Sequence, residues 1–219
     1  MTLRTELELH EALPRSRFAE VHRRTVDLPL DRVWPAALSV TAHEIRTLGP
    51  LLALRGLPRT LLGKRAVSAT DPLPLLDVFQ REGFVLLRRD PQPIEGRALV
   101  LFGAAGRFWS PIGNAPLPFD GPDAFLDFDR PDHAVTVCRL EAVADGPRTR
   151  IETETLVAGT DRAAEAKFAP YWALIRLPSG LIRRSWLAAI DRRAHRHAAA
   201  TAGGDRPVLA TDEGPTLRA

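Results

Sequence analysis

Apolar and polar residues alternate with period two through the middle of the chain, and apolar residues recur at helical spacing toward both ends. The stretches "GFVLLRRD" (83–90), "RALVLFGAAGRFW" (97–109), "AFLDFD" (124–129), "HAVTVCRLEAVA" (133–144) and "RTRIETETLVAG" (148–159) read as strands. Asp145-Gly146 between the last two is a hairpin turn signal. Strands this close together, with no helix between them, pair antiparallel. Upstream, "EVHRRTVDLPL" (20–30) reads as a strand ending at a proline turn. Its Val21, Arg23, Thr25 and Asp27 alternate with His22, Arg24, Val26 and Leu28, and neither set is a clean apolar face. Asp31 suits the N-cap of a helix in "RVWPAALSVTAHEI", with Pro35 in its first turn and Val33, Ala37, Val40 and Ile45 as its apolar stripe. "RTLGPLLALRGLPRTLLG" (46–63) is cut by Gly49-Pro50 and by Gly56-Leu57-Pro58, which predicts short helical turns.

From Asp161 to about His197 the period is helical, and either Thr160 or Asp161 can cap the start. Phe168, Tyr171, Trp172 and Ile175 form one stripe, continued by Ile182, Trp186 and Ile190. Leu177-Pro178-Ser179-Gly180 between them should stop a helix. Ile175 to Ile182 is nevertheless about two turns, so the apolar phase survives, and that predicts a kink within one closing helix. Such a helix must bury its stripe, and the sheet is the large partner available. The class is therefore α+β, a curved antiparallel sheet wrapped around a long, kinked C-terminal helix, with space between them for a ligand. Residues 1–18 read as a lead-in, 19–198 as one domain, and 199–219 as an aperiodic tail expected to be disordered.

This order resembles the START-like, helix-grip (SRPBCC) superfamily, which includes polyketide cyclases, aromatases and Bet v 1-type proteins. "VDLPLDRVWPAAL" (26–38) looks like the family's first strand and its entry into a helix. "EGRALVLFGAAGRFW" (95–109) looks like a central strand pair of a bacterial subgroup with no established activity. "TRIETETLVAGTDRAAEAKFAPYWALIRLPSGLIRRSWLAAIDRRA" (149–194) is similar to the last strand and closing helix. The chain departs from the subgroup at Leu156, where an arginine is frequent. The resemblance implies a helix-grip fold; its motifs specify no chemistry.

Composition narrows the partners. The 219 residues suit one domain, with 45% hydrophobic and 26% charged residues and a net charge of only +3. Lys64 and Lys167 are the only lysines, so 28 of the 30 basic residues are arginine, which reads as the codon usage of a GC-rich genome and not as a nucleic-acid footprint. Cys138 stands alone, so the chain forms no internal disulfide. "MTLRTELELHEAL" carries acids where a signal peptide needs a basic start, and no run approaches the roughly 20 apolar residues of a membrane span. The expected location is the cytoplasm.

No catalytic set, cofactor motif or metal site assembles from the sequence. Gly103 and Gly106 lack the Lys-Ser/Thr of a phosphate loop and read as a strand bend. Asp127 and Asp129 share a strand face opposite Leu126 and Phe128, which places both aspartates in solvent. Arg150, Glu152 and Glu154 take the outer face of the last strand, turning Thr153 and Thr155 inward as donors toward a ligand or as plain strand formers. Phe102, Phe108, Trp109, Trp172 and Ile175 are candidates to line a cavity or to fill a core, and Asn114 and Tyr171 to orient a ligand. His195 and His197 are two apart on a helix, and His43-Glu44 lacks a second histidine. The function expected is binding of a small hydrophobic or amphipathic molecule. The first alternative is a cyclase, dehydratase or aromatase on a similar ligand, with Arg139, Glu141, Glu152 and Glu154 as candidates if they face the cavity. The second is a membrane or partner module using "LGPLLALRGLPRTLL" with Arg183, Arg184, Arg192, Arg193 and Arg196, residues that otherwise read as a solvated helix end.

Overall fold

Each strand that the alternation predicts on both sides of Asp145-Gly146 finds its neighbour through the tightest connection available, and the sheet grows outward from that hairpin. In the computed structural model, which describes residues 6–45, 47, 72–111 and 114–204, β4 (Ala134–Asp145) and β5 (Arg148–Gly159) pair along their whole length, with Gly146 at φ +60 in the turn. β3 (Arg97–Gly106) adds to β4, β2 (Val85–Arg89) to β3, and β1 (Phe18–Val26) to β5. The result is an antiparallel sheet in the order β1-β5-β4-β3-β2.

The period of two gives the sheet two different faces. On the near face, Val100, Phe102, Leu140, Ala142 and Ile151 pack against Val33, Trp34 and Ala37 of α2 (Leu30–Ser39) and against Trp186, Leu187, Ile190 and Ala194 of the closing helix. On the far face, Leu99, Leu101, Val137 and Leu156 pack against Leu9 and Leu13, in and just beyond the short helix α1 (Leu9–Ala12). The lead-in thus has a place: residues 7–13 cover the back of the sheet. Leu156 lies under that cover with 1% exposure.

Two predicted elements differ from the sequence reading. α2 starts at Leu30 with Pro29 in extended backbone as its N-cap, so Asp31 falls in the first turn and Pro35 beyond it. α2 ends at Ser39, and Ala42–Glu44 form a separate 3-10 turn; Val33, Ala37, Val40 and Ile45 are all buried as the stripe requires. "AFLDFD" is not a strand: after α3 (Leu75–Arg81), the chain forms a short helix α4 (Pro122–Leu126). Gly121 at φ +95 sets its entry and Pro122 occupies its first turn. Phe125 of α4 seats its ring on Gly103, where a Cβ would collide with the ring edge. Gly103 is therefore a seat for an aromatic ring; Asp127 and Asp129 are solvent-exposed beyond α4. The predicted turns of 46–63 lie outside the described residues, apart from Thr47.

The closing helix, α5 (Arg162–Gly204), runs 43 residues without a break through Pro170 and Pro178. Asp161 is its cap, accepting from Ala164 N–H at 2.7 Å, while Thr160 hydrogen-bonds to the His133 carbonyl instead. The arginines near its end are not simply solvated. Arg193 and Arg196 pair with the Glu44 carboxylate, Arg192 donates to the Glu44 carbonyl at 2.9 Å, and Asp191 pairs with Arg24 of β1.

Charge is buried on the far face as well. Arg139 of β4 meets Glu152 and Glu154 of β5 at 2.7 and 2.9 Å and Glu141 at 3.4 Å; Arg23 joins Glu152 from β1. Arg97 bridges Glu141 to Glu8, which the lead-in brings over the sheet at 2.7 Å. The hydrogen bond from Arg97 holds the Glu8 carboxyl below the ordinary glutamate value of 4.5, against the cost of desolvation. Burial pushes the Glu152 carboxyl up, but the hydrogen bond from Arg23 and the charges of Arg23 and Arg139 bring it below 4.5. A lowered folded-state value contributes stability that is present above the unfolded value and is lost as pH falls through the folded one. Melting temperature should therefore hold from pH 7 to about 5 and fall below about 4.5. Arg97→Gln should lower stability at pH 7 and flatten that acid limb; an acid limb as steep as the parent's would refute the assignment to this network.

Candidate functional site

Glu20, Thr155, Cys138 and Phe102 lie side by side across β1, β5, β4 and β3 on the near face. In the adjacent near-face row lie His22, Thr153, Leu140 and Val100. The edge facing β1 is thus polar, whereas the sheet on the β3 side is apolar. Glu20 Oε1 and His22 Nε2 are hydrogen-bonded at 3.0 Å, and their side chains retain only 9% and 12% exposure. Thr155 Oγ1 is 3.3 Å from Cys138 Sγ.

The helix above this patch is polar in the same place. Its buried or half-buried stripe runs Ala164, Phe168, Trp172, Ile175, Ser179, Arg183, Trp186, Ile190, Ala194, in steps of three and four residues. Ser179 and Arg183, with Gly180 beside them, interrupt an otherwise apolar series at its middle. Gly180 lies against the β1 pair: a Cβ there would stand 2.8 Å from Glu20 Oε1 and 3.1 Å from His22 Nε2. Arg183 reaches toward the sheet, with Nη2 4.0 Å from Cys138 Sγ and Nε donating to Ser179 Oγ at 3.4 Å.

This interior is under-satisfied. Among the described residues, four buried side-chain polar atoms have no hydrogen-bond partner, and three belong here: Glu20 Oε2, Thr153 Oγ1 and Trp186 Nε1. The fourth, Arg139 Nε, belongs to a guanidinium already bonded to two carboxylates on the far face. A buried donor or acceptor without a partner costs about 1–3 kcal/mol, so three on one face mark a place where a bound polar group, water or ligand, would complete the interior.

Aromatic rings flank the polar patch. Phe79, Phe84, Phe102 and Trp186 contact one another with centroids 5.1–6.0 Å apart. Toward the start of α5, Phe18, Phe168, Tyr171 and Trp172 form a second group, with Trp109 against Phe168 at 6.4 Å. Thr153, Thr155 and Phe102, singled out from the sequence, therefore belong to the patch. Phe108, Trp109, Tyr171 and Trp172 belong to the second aromatic group, and Ile175 is half-buried on the helix between the two regions. Asn114 is half-buried in the loop after β3 and makes no side-chain hydrogen bond among the described residues. Arg139, Glu141, Glu152 and Glu154 point to the opposite face, into the ion pairs under the lead-in, so the enzyme alternative loses these four.

The sequence reading missed Glu20, His22, Ser179, Gly180 and Arg183. The signal for β1 was present: Glu20 and His22 share the parity of Val26, which is buried. For the helix it lay in the polar positions between Ile175 and Trp186, which break the apolar stripe. Among the described residues, no group of three or more His, Cys, Asp and Glu side chains is arranged to hold a metal ion. None of the described helices is long and apolar enough to cross a membrane.

No protein-family model matches the chain, and no curated protein matches it. Two solved structures align with most of it. A hypothetical protein from Helicobacter pylori aligns over 89% of this chain and 98% of its own, at 8% identity and a TM-score of 0.37. A protein from Thermus thermophilus aligns over 83% of this chain and 99% of its own, at 13% identity and a TM-score of 0.31.

Thr153 gives a direct measure of the cost of this interior. Thr153→Val replaces the unpartnered hydroxyl by a methyl of the same shape and should raise the stability of the ligand-free protein by about 1 kcal/mol in urea unfolding. Loss of stability would mean that the hydroxyl is satisfied.

Proposed function

We propose that this chain is a helix-grip protein of the START-like kind that binds a small amphipathic molecule between the near face of the sheet and α5. One observation carries the reading: apolar walls surround a buried patch whose Glu20 Oε2, Thr153 Oγ1 and Trp186 Nε1 lack partners. A binding site for a small molecule combines those two elements, apolar surface for affinity and a few placed polar groups for orientation. Each 100 Å² of apolar ligand surface removed from water contributes about 2.5 kcal/mol, so the aromatic flanks suffice for affinity and the patch for selection.

A second reading, an acid–base enzyme of cyclase or aromatase type acting on such a molecule, is favoured by one specific feature. The Glu20 carboxylate accepts from His22 Nε2–H at 3.0 Å, which leaves the other imidazole nitrogen as the proton-transfer atom. Carboxylate and imidazole together fix the ring and its tautomer, the arrangement a general base requires.

Both readings are tested on the purified protein by mass spectrometry of its organic extract. A co-purifying amphipathic molecule is expected; its absence, together with failure to bind fluorescent apolar probes, would refute both. Gly180→Ala should stay folded, its helix-propensity gain of about 1 kcal/mol offsetting the displacement of Glu20 and His22 at least in part, yet should hold less of the molecule because its methyl displaces Glu20. His22→Asn separates the two readings. A binding protein yields the same molecule from parent and variant, whereas an enzyme yields an unconverted precursor from the variant.

A further inference from the structure

Arginines that touch the body of this protein are neutralised by a stereotyped means. Arg23, Arg24, Arg88, Arg97, Arg139, Arg193 and Arg196 each reach a carboxylate within 3.1 Å. Arg192 reaches the Glu44 carbonyl at 2.9 Å instead, and among the described residues Arg183 has neither kind of partner. Arg183 is half-buried in the stripe of α5 that faces the sheet, yet it makes no ion pair among the described residues. Its polar contacts are the long ones to Ser179 Oγ at 3.4 Å and Cys138 Sγ at 4.0 Å.

A guanidinium cannot shed its charge by losing a proton, so a desolvated one requires an anion or a cost in stability. Glu20 does not serve. Its Oε1 is hydrogen-bonded to His22, and it forms no ion pair with Arg183. The polar atoms left open on Thr153 and Trp186, by contrast, can both donate, the hydroxyl O–H and the indole N–H. A cation with two neutral groups able to donate is complementary to an acceptor of single negative charge at Arg183, on the side of the patch away from Glu20.

We propose that Arg183 is an anion-binding residue, and that the amphipathic molecule held between sheet and helix carries a carboxylate. This rests on the binding function proposed above and narrows it to a ligand class. A planar carboxylate matches the guanidinium fork with two parallel N–H···O bonds. A phosphate dianion would bring a second charge that no other cation of the patch offsets. With the head at Arg183, the apolar body extends over Phe102, Phe79 and Phe84, the rings adjoining Cys138 on the β3 side. Glu20 Oε2 remains available to accept from a hydroxyl or amide of the same ligand.

The test compares two ligands that differ only at the head. Dissociation constants of decanoate and 1-decanol are measured by titration calorimetry for the parent, Arg183→Met and Arg183→Lys. The parent should hold decanoate at least about tenfold more tightly than decanol, Arg183→Lys should keep part of that preference, and Arg183→Met should lose it, binding the two molecules about equally. Equal affinities in the parent overturn the carboxylate proposal and leave the apolar binding reading standing. A preference that persists in a folded Arg183→Met assigns the anion elsewhere and overturns the role of Arg183. Binding of neither molecule overturns both readings. The parent comparison needs no variant, so a misfolded Arg183→Met does not remove the test.

Discussion

The inner face of the sheet is buried against the stripe of α5, with α2 closing one end. At about 1.5 Å per residue, a helix of 43 residues is roughly 65 Å long, whereas the 12-residue strands β4 and β5 span about 40 Å. The helix therefore overruns the sheet and has to be held at both of its ends. The aromatic group of Phe18, Phe168 and Trp172 grips one end, and α2 with the Glu44 arginine cluster grips the other. Both grips lie away from the middle.

That distribution explains how a poorly satisfied centre is tolerated. The apolar burial at the two ends fixes the height of the helix over the sheet, so the segment between them need not contribute stability. Pro178 fits the same logic. It removes a hydrogen bond to the Leu174 carbonyl on a turn whose Leu174 and Leu177 are 75% and 73% exposed, where water can take the freed acceptor. Gly180 and Pro178 are poor helix formers placed where the grip is weakest, and the residues of the patch lie directly beneath them.

Much of this fold was legible because strands and helices advertise themselves through period. β3, β4 and β5, the turn at Asp145-Gly146 and the closing helix all follow from alternation, a turn signal and the phase of apolar residues. The reading of 124–129 failed because five residues of Leu, Phe and Asp satisfy either period, and the decision lay in a contact. Phe125 needed a seat, and Gly103, about twenty positions away, provides it. The lead-in was equally opaque: what orders residues 7–13 is a hydrophobic back face and Arg97, both remote in sequence. Thr153 and Thr155 were placed on the inner face because Glu152 and Glu154 declare the outer one. Glu20 and His22 were not, because an edge strand with charges at both parities gives no such declaration.

Charge is buried on both faces of one sheet, and the contrast between them identifies which face has unfinished business. On the far face, Arg139 meets three carboxylates, Arg97 meets two, and the lead-in closes over them. Each of these charges has its counter-charge within the chain, so that face is structural although it carries the more conspicuous acidic residues. On the near face the polar groups are fewer and the counting does not close: a carboxylate oxygen, a hydroxyl and an indole N–H lack hydrogen-bond partners, and a guanidinium lacks a counter-charge among the described residues. Desolvation makes each of those omissions costly, and a chain that arranges full neutralisation a strand's thickness away has the means to arrange it here. On the proposed reading, what completes this face is supplied from outside the chain, by the head of the ligand that the helix holds against the sheet.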